Sequence, residues 1–330
     1  MRLLILGHSR IVQRRLLPAL ARLDAVEQAD IASRRPAAGA ARAAAPAAAP
    51  RGEVYEGYDD ALRRSGAQLA WVSGVNTDHA PLAERCLQRG LHVIVDKPAA
   101  TRLRDAERLL ALARERNLCL AEATVFAHHP QVELVREQFA RRQDAPSRVT
   151  ATFSVPPFTD DNFRWRRELG GGALLDMGIY AAATARLLFG EAPGQEPIQA
   201  PLQWHARVLG RRGGVDTAFA CLGVAGARAL VGQFGFDTEY CNRLQVLGTR
   251  TAVSLERAFT TAPDEPNVLA VSAANRHEQV TAPAGDSFGL FVQAVIASIA
   301  AGRHGRWAEI LWQDARALHA LRTAAGEDDA

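Results

Sequence analysis

From residue 1 to about residue 122 the chain alternates short apolar runs with amphipathic ones, and no other feature narrows its fold as much. "RLLILG", "VEQADIASR", "AQLAWVSGV", "LHVIVDKP" and "LCLAEA" read as strands; "RRLLPALARL", "YDDALRRSG", "HAPLAERCLQRG" and "RLRDAERLLALARERN" read as helices. Strand and helix in regular alternation require parallel strands joined by right-handed crossovers, hence a doubly wound α/β sheet whose ligands lie at the carboxyl ends of the strands. The alanine-rich stretch Arg35 to Pro50, broken by Pro36, Pro46 and Pro50, is expected to be a solvent-facing excursion without chemistry.

After about residue 123 the texture changes. "RVTATFSV", "ALVGQFGF", "NRLQVLGT" and "TAVSLERAF" follow one another as strands, with helical stretches at residues 173–189 and 287–301 and a closing helix, "AEILWQDARALHALRTAA". That order predicts an α+β domain built on a large open, mainly antiparallel sheet over residues 123–330, after a nucleotide-binding domain over residues 1–122, with the final helix free to return to the first domain. A length of 330 residues and a 48% hydrophobic content suit two such cores.

Lys and Arg exceed Asp and Glu by only 39 − 36 = 3, and the arginines are scattered rather than gathered into a tract, which argues against a nucleic-acid partner. No stretch approaches the roughly 20 apolar residues needed to cross a bilayer, and "GHSR" follows the first apolar run too soon for a secretory signal. A soluble, cytoplasmic protein is expected. Cys86, Cys119, Cys221 and Cys241 are too widely spaced for a zinc site and read as ordinary thiols.

The turn after the first strand, "GHSRIV", places Gly7, Ser9 and Val12 at the three glycine positions of G-x-G-x-x-G. The first glycine makes the tight turn, the second admits pyrophosphate and the third lets the helix pack closely. Serine keeps the approach and offers a hydroxyl to phosphate; valine holds the helix away. On these residues alone a dinucleotide loop and an ordinary β-α turn both stand. Where an NAD pocket carries an acid, the second strand ends with Ser33, Arg34 and Arg35, and an arginine there pairs with a 2′-phosphate. If a dinucleotide binds, NADP(H) is therefore expected over NAD(H); a solvated arginine pair opening a loop is the plainer alternative.

Two further segments carry chemistry. "VDKPA" ends a buried strand with Asp96, Lys97 and Pro98, facing the lysine toward the ligand crevice. "ELGGGALLDMGIY" opens a helix with three glycines and then sets Asp176 and Tyr180 four residues apart on one face. A carboxylate beside a phenol can orient it and relay a proton, as carbonyl reduction by hydride transfer requires; a buried tyrosine satisfied by an aspartate is the plainer alternative. His128 and His129 point opposite ways on an extended segment, so a substrate contact by one of them is expected and no metal.

In order, "LGHSRI", "ASRR", "VNTDHA", "VDKPAA" and "WRRELGGGALLDMGIY" resemble the Gfo/Idh/MocA oxidoreductases over nearly the whole length. The resemblance implies an N-terminal Rossmann domain and a C-terminal domain for substrate and oligomer contacts. Within the family the likeness is strongest to NADPH-dependent 3-ketoreductases of nucleotide-linked deoxysugars, through "QRRLLPAL", "IASRRPA", "SVPPFTDDNFRW" and "LGTRTAVSLERAFT". It implies Lys97 at the substrate carbonyl, Tyr180 as proton donor and Asp176 in support. The cofactor would meet Gly7, Ser9, Arg10, Ile11, Ser33, Arg34, Arg35, Ser73, Val75, Asp96, Lys97 and Pro98. Asn76 and His79 would line the nicotinamide, and Trp165 and Arg166 would reach the cofactor from the second domain. The missing glycines and Asp96, where the family more often has glutamate, depart from its pattern.

The expected function is NADPH-dependent reduction of a keto group on a nucleotide sugar. The alternatives are dehydrogenation of a free sugar, cyclitol or dihydrodiol, and a non-catalytic cofactor-binding regulator. The open sheet face calls for a homodimer or homotetramer.

Overall fold

The computed structural model describes residues 1–34, 52–190 and 202–327, so Arg35 and the alanine-rich stretch lie outside the described residues. Two compact units make up the chain, Met1–Ala123 with Phe288–Ala315, and Thr124–Ser287 with Arg316–Ala330.

The first unit holds six parallel strands, β1 (Arg2–Leu6), β2 (Gln28–Ser33), β3 (Val54–Glu56), β4 (Leu69–Val72), β5 (His92–Val95) and β6 (Leu120–Glu122), in the order β3-β2-β1-β4-β5-β6. The direction of succession reverses between β1 and β4, which is where such sheets open a ligand crevice. Strands buried on both faces read as continuous apolar runs, and Leu3, Leu4, Ile5 and Leu6 are all inaccessible or nearly so. The expected first helix is broken: a π-helical turn, Val12–Leu16, precedes α1 (Leu17–Leu20), and the Leu17 N–H donates to the carbonyl of Val12. Pro18 has no N–H, so the regular ladder cannot run through it. Helices α2 (Tyr58–Arg64), α3 (Asn76–Gln88) and α4 (Leu103–Glu115) complete the crossovers.

An expected division at residue 122 leaves the helix near residue 290 with the second domain, whereas Phe288–Ala315 belong to the first unit. Aromatic packing accounts for it. Phe288 stacks on Trp71 with ring centres 6.1 Å apart, and Phe291 meets Trp71 edge-on at 6.2 Å and Trp307 at 5.5 Å.

The second unit is built on eight strands in the order β14-β13-β12-β11-β7-β10-β9-β8. They are β7 (Arg148–Ser154), β8 (Gln203–Arg212), β9 (Val215–Ala225), β10 (Arg228–Gly235), β11 (Cys241–Leu247), β12 (Thr251–Glu256), β13 (Asn267–Ala273) and β14 (Arg276–Ala282). Every neighbouring pair is antiparallel except β7 with β10. Helices α5 (Pro130–Ala140) and α6 (Ala173–Phe189) contribute Val135, Phe139, Leu174, Met177 and Phe189 to a core shared with Phe153, Phe219, Phe234 and Phe259. Thr150, Leu222, Val231, Gln233, Gln245 and Ser254 are exposed at alternate positions along their strands. Among the described residues no helix is long and apolar enough to cross a membrane.

Candidate active site

The chain turns sharply after β1 because Gly7 takes φ +105°, a conformation that suits glycine, and its N–H donates to the carbonyl of Ala32 at 2.9 Å. A Cβ at Gly7 would come within 1.5 Å of the carbonyl oxygen of Ser73. The turn thus sits tightly between the ends of β1 and β4, the cradle a dinucleotide requires, and the residues present fit such a group. Ser9 Oγ lies 2.7 Å from Ser73 Oγ and accepts the Val12 N–H at 3.2 Å, while Arg10 and Ile11 are exposed beside it.

Ser33 ends β2 as a buried residue. Arg34, next in sequence, is exposed; its guanidinium pairs with the Asp78 carboxylate and lies 5.4 Å from the centre of the Tyr58 ring. It is held at the strand end and remains open to an anion. Val75 caps α3 in an extended conformation, and Asn76 and His79 on that helix are buried.

The Lys97 turn is pinned on several sides. Asp96 accepts from Trp71 Nε1 at 3.0 Å and from the Ser73 hydroxyl. The His79 Nδ1–H donates to the Pro98 carbonyl at 2.8 Å, and the Ala99 N–H donates to Glu122 Oε2 at 2.6 Å. The Lys97–Pro98 peptide is cis. Burial pushes the Asp96 carboxyl above its ordinary range, while His79, the bonds from Ser73 and Trp71, and Lys97 pull it back. His79 Nε2 is buried and finds no hydrogen-bond partner among the described residues.

In the second unit the three glycines have a geometric cause. Gly172 takes φ +112°, and a Cβ there would meet Asp216 Oδ1 at 2.4 Å. That carboxylate reaches in from β9 to accept the Leu174 N–H at 2.5 Å, capping the start of α6. Asp176 and Tyr180 then stand on successive turns. Asp176 is buried and accepts two hydrogen bonds from Arg164, Nε at 2.9 Å and Nη2 at 3.2 Å. The Tyr180 ring packs among Phe153, Phe259 and Phe126, at centre distances of 5.0, 5.2 and 5.6 Å. An aromatic wall of this kind holds a phenol in one orientation.

Trp165 is engaged within its own unit: its indole N–H donates to the Thr159 carbonyl at 2.9 Å, and the Arg212 guanidinium lies 4.5 Å from its ring centre. Arg166 is exposed. His129 caps α5, its Nδ1 accepting the Gln131 N–H at 3.2 Å, and burial lowers its pKa to about 4. Among the described residues no group of three or more His, Cys, Asp and Glu side chains could hold a metal ion.

The sequence does not single out Trp71, Asp78, Glu122, Arg164 or Asp216 as site residues. Each acts on a partner between 12 and 44 residues away, although Asp78 lies inside "VNTDHA" and Arg164 inside "SVPPFTDDNFRW".

Residues 1–124 match a family described as an oxidoreductase family with an NAD-binding Rossmann fold, and residues 144–254 match the GFO/IDH/MocA C-terminal domain. The dTDP-3,4-didehydro-2,6-dideoxy-alpha-D-glucose 3-reductase of Actinomadura kijaniata is 32% identical over 332 residues, covering 97% of this chain and 94% of that protein. The reductase of the same description from Streptomyces violaceoruber is 33% identical over 287 residues, covering 87% and 81%. Among solved structures, a 3-ketoreductase from Actinomadura kijaniata in complex with NADP and TDP-benzene has a TM-score of 0.89 at 30% identity and covers 98% of both chains.

Proposed function

This chain belongs to the GFO/IDH/MocA oxidoreductase family, and we propose that it reduces the C3 keto group of a nucleotide-linked deoxysugar with NADPH. The observation that carries the reading is the likeness to 3-reductases of such sugars along nearly the whole chain. Arg34 supports it: an exposed guanidinium just past the end of β2, a position from which an arginine can accommodate a 2′-phosphate.

When bound, NADPH would supply the hydride for the carbonyl carbon, with NADP+ as the other product. The first unit would hold the cofactor: Gly7 and the turn beside Ser9, Arg10 and Ile11 would take the diphosphate, and Ser33 with Arg34 the adenosine end. Ser73, Val75, Asn76, His79 and the Asp96-Lys97-Pro98 turn would line the nicotinamide end. The Lys97 ammonium binds the carbonyl oxygen and draws charge onto it as the hydride arrives. The Tyr180 hydroxyl delivers a proton to the nascent alkoxide, so that C=O becomes CH–OH and the phenol is reprotonated from solvent. Asp176 fixes the start of α6 and thereby the phenol.

The second unit carries the substrate and the contacts of a homodimer or homotetramer. The test is NADPH consumption by the purified protein with nucleotide-linked 3-keto deoxysugars, set against NADP+ reduction with free sugars, cyclitols and dihydrodiols. Turnover confined to the nucleotide-linked substrates supports the proposal; turnover confined to the free ones replaces it.

A further inference from the structure

The hydroxyl that stands where the second fingerprint glycine is missing is already committed. A serine hydroxyl has one hydrogen to give and two lone pairs to offer. Ser73 gives its hydrogen to Asp96 Oδ2. Toward Ser9, 2.7 Å away, Ser73 can then only accept, so the Ser9 hydrogen lies on Ser73. The Val12 N–H takes one of the Ser9 lone pairs at 3.2 Å. Ser9 is left with no hydrogen for a phosphate oxygen. Its bond crosses from the end of β1 to the end of β4, the place where the strand order reverses, and the next link reaches the residue that precedes Lys97.

We propose that Ser9 is a positioning residue for Lys97, acting through Ser73 and the Asp96 carboxylate, and is not a ligand of the cofactor phosphate. The inference rests on the role given to Lys97 above. Chains of hydrogen bonds polarise one another, so removing the first link loosens the second. Trp71, whose indole N–H donates to the other Asp96 oxygen at 3.0 Å, reports on the same carboxylate from within the unit.

The experiment compares wild type with Ser9→Ala, Ser73→Ala and the double variant. Three quantities are read: NADPH affinity by nicotinamide fluorescence, kcat and KM for the keto sugar, and the Trp71 indole N–H resonance, assigned by its loss in Trp71→Phe. Ser9→Ala is expected to keep NADPH affinity within about twofold and to lower kcat about threefold. Ser73→Ala lowers kcat about tenfold, and the double variant is no worse than Ser73→Ala, because both hydroxyls act along one line. Both single variants shift the Trp71 resonance. Ser9 is partly exposed, so Ser9→Ala keeps the test open should the buried Ser73→Ala fail to fold.

A fivefold or greater loss of NADPH affinity in Ser9→Ala, with kcat and the Trp71 resonance unchanged, would overturn the proposal and make Ser9 a phosphate ligand. Additive losses in the double variant would overturn it as well. Absence of turnover in wild type defeats the proposed function alone; affinity and the Trp71 resonance still decide whether the relay exists.

Discussion

Arg164 grips Asp176 with two hydrogen bonds, Nε at 2.9 Å and Nη2 at 3.2 Å, while its guanidinium lies 4.7 Å from the ring centre of Phe158 and 4.8 Å from that of Phe163. The acid expected to attend Tyr180 is therefore held by an arginine 12 residues earlier, in the loop that leads to the glycines. A buried carboxylate stripped of its cation is costly. Arg164→Met is expected to destabilise the chain by about 2 kcal/mol in urea unfolding, discounted from the buried-pair range because Arg164 is partly accessible. NADPH affinity should not change. An unaltered unfolding midpoint would mean that the pair contributes nothing to the fold.

The Arg34 guanidinium is positioned by Asp78 and Tyr58 and is still exposed. If Arg34 holds the 2′-phosphate as proposed, Arg34→Ala removes that charge-assisted contact and leaves the rest of the cofactor untouched. NADPH should bind about tenfold more weakly or worse, and NADH as before, in separate fluorescence titrations. Equal losses for both cofactors would assign Arg34 to the adenine rather than to the phosphate.

Burial lowers His129 from an ordinary value near 6.5 to about 4. The folded ring stays neutral where the unfolded ring takes a proton. Its contribution to stability is complete above about pH 6.5 and is lost as pH falls from there toward 4. His129→Asn keeps an acceptor for the Gln131 N–H and cannot titrate, so thermal unfolding midpoints should fall less steeply over that interval than in wild type. Part of the slope remains, because burial also lowers His8 and His92. Parallel slopes in the two proteins would remove His129 from the acid limb.

Val231 on β10 is paired with Leu222 on β9, and both are exposed on the sheet, 47% and 37%. Apolar pairs flanked by Thr150, Gln233 and Gln245 suit a surface covered by another copy. Light scattering should give a dimer or tetramer, and Val231→Asp should shift it toward monomer. A monomeric wild type would contradict this.

Apart from the short β3 and the break at Val12–Leu16, the first unit was legible because parallel strands buried on both faces and amphipathic crossover helices have different periods. Of the second sheet, β7, β10, β11 and β12 were legible, and only as strands. A period of two does not name a partner, so the parallel pairing of β7 with β10 could not be read from "RVTATFSV" and "ALVGQFGF". Lys97, Asp176 and Tyr180 drew attention because each is polar on an apolar element. What fixes them was hidden: Trp71 and Ser73 reach Asp96 from another strand, and Asp216 reaches Leu174 from 42 residues away. The glycine run signalled close approach, and its cause, the Asp216 carboxylate against Gly172, belongs to tertiary structure.

The most direct test follows the hydride. The purified protein is given NADPH deuterated at the transferring position together with a nucleoside-diphosphate 3-keto deoxysugar, and the sugar is analysed by mass spectrometry and NMR, for wild type and for Lys97→Ala with Tyr180→Phe. The account predicts one deuterium at C3 of the wild-type product and none from the double variant, which still binds NADPH. Wild-type protein that binds NADPH yet leaves every such sugar unlabelled would contradict it.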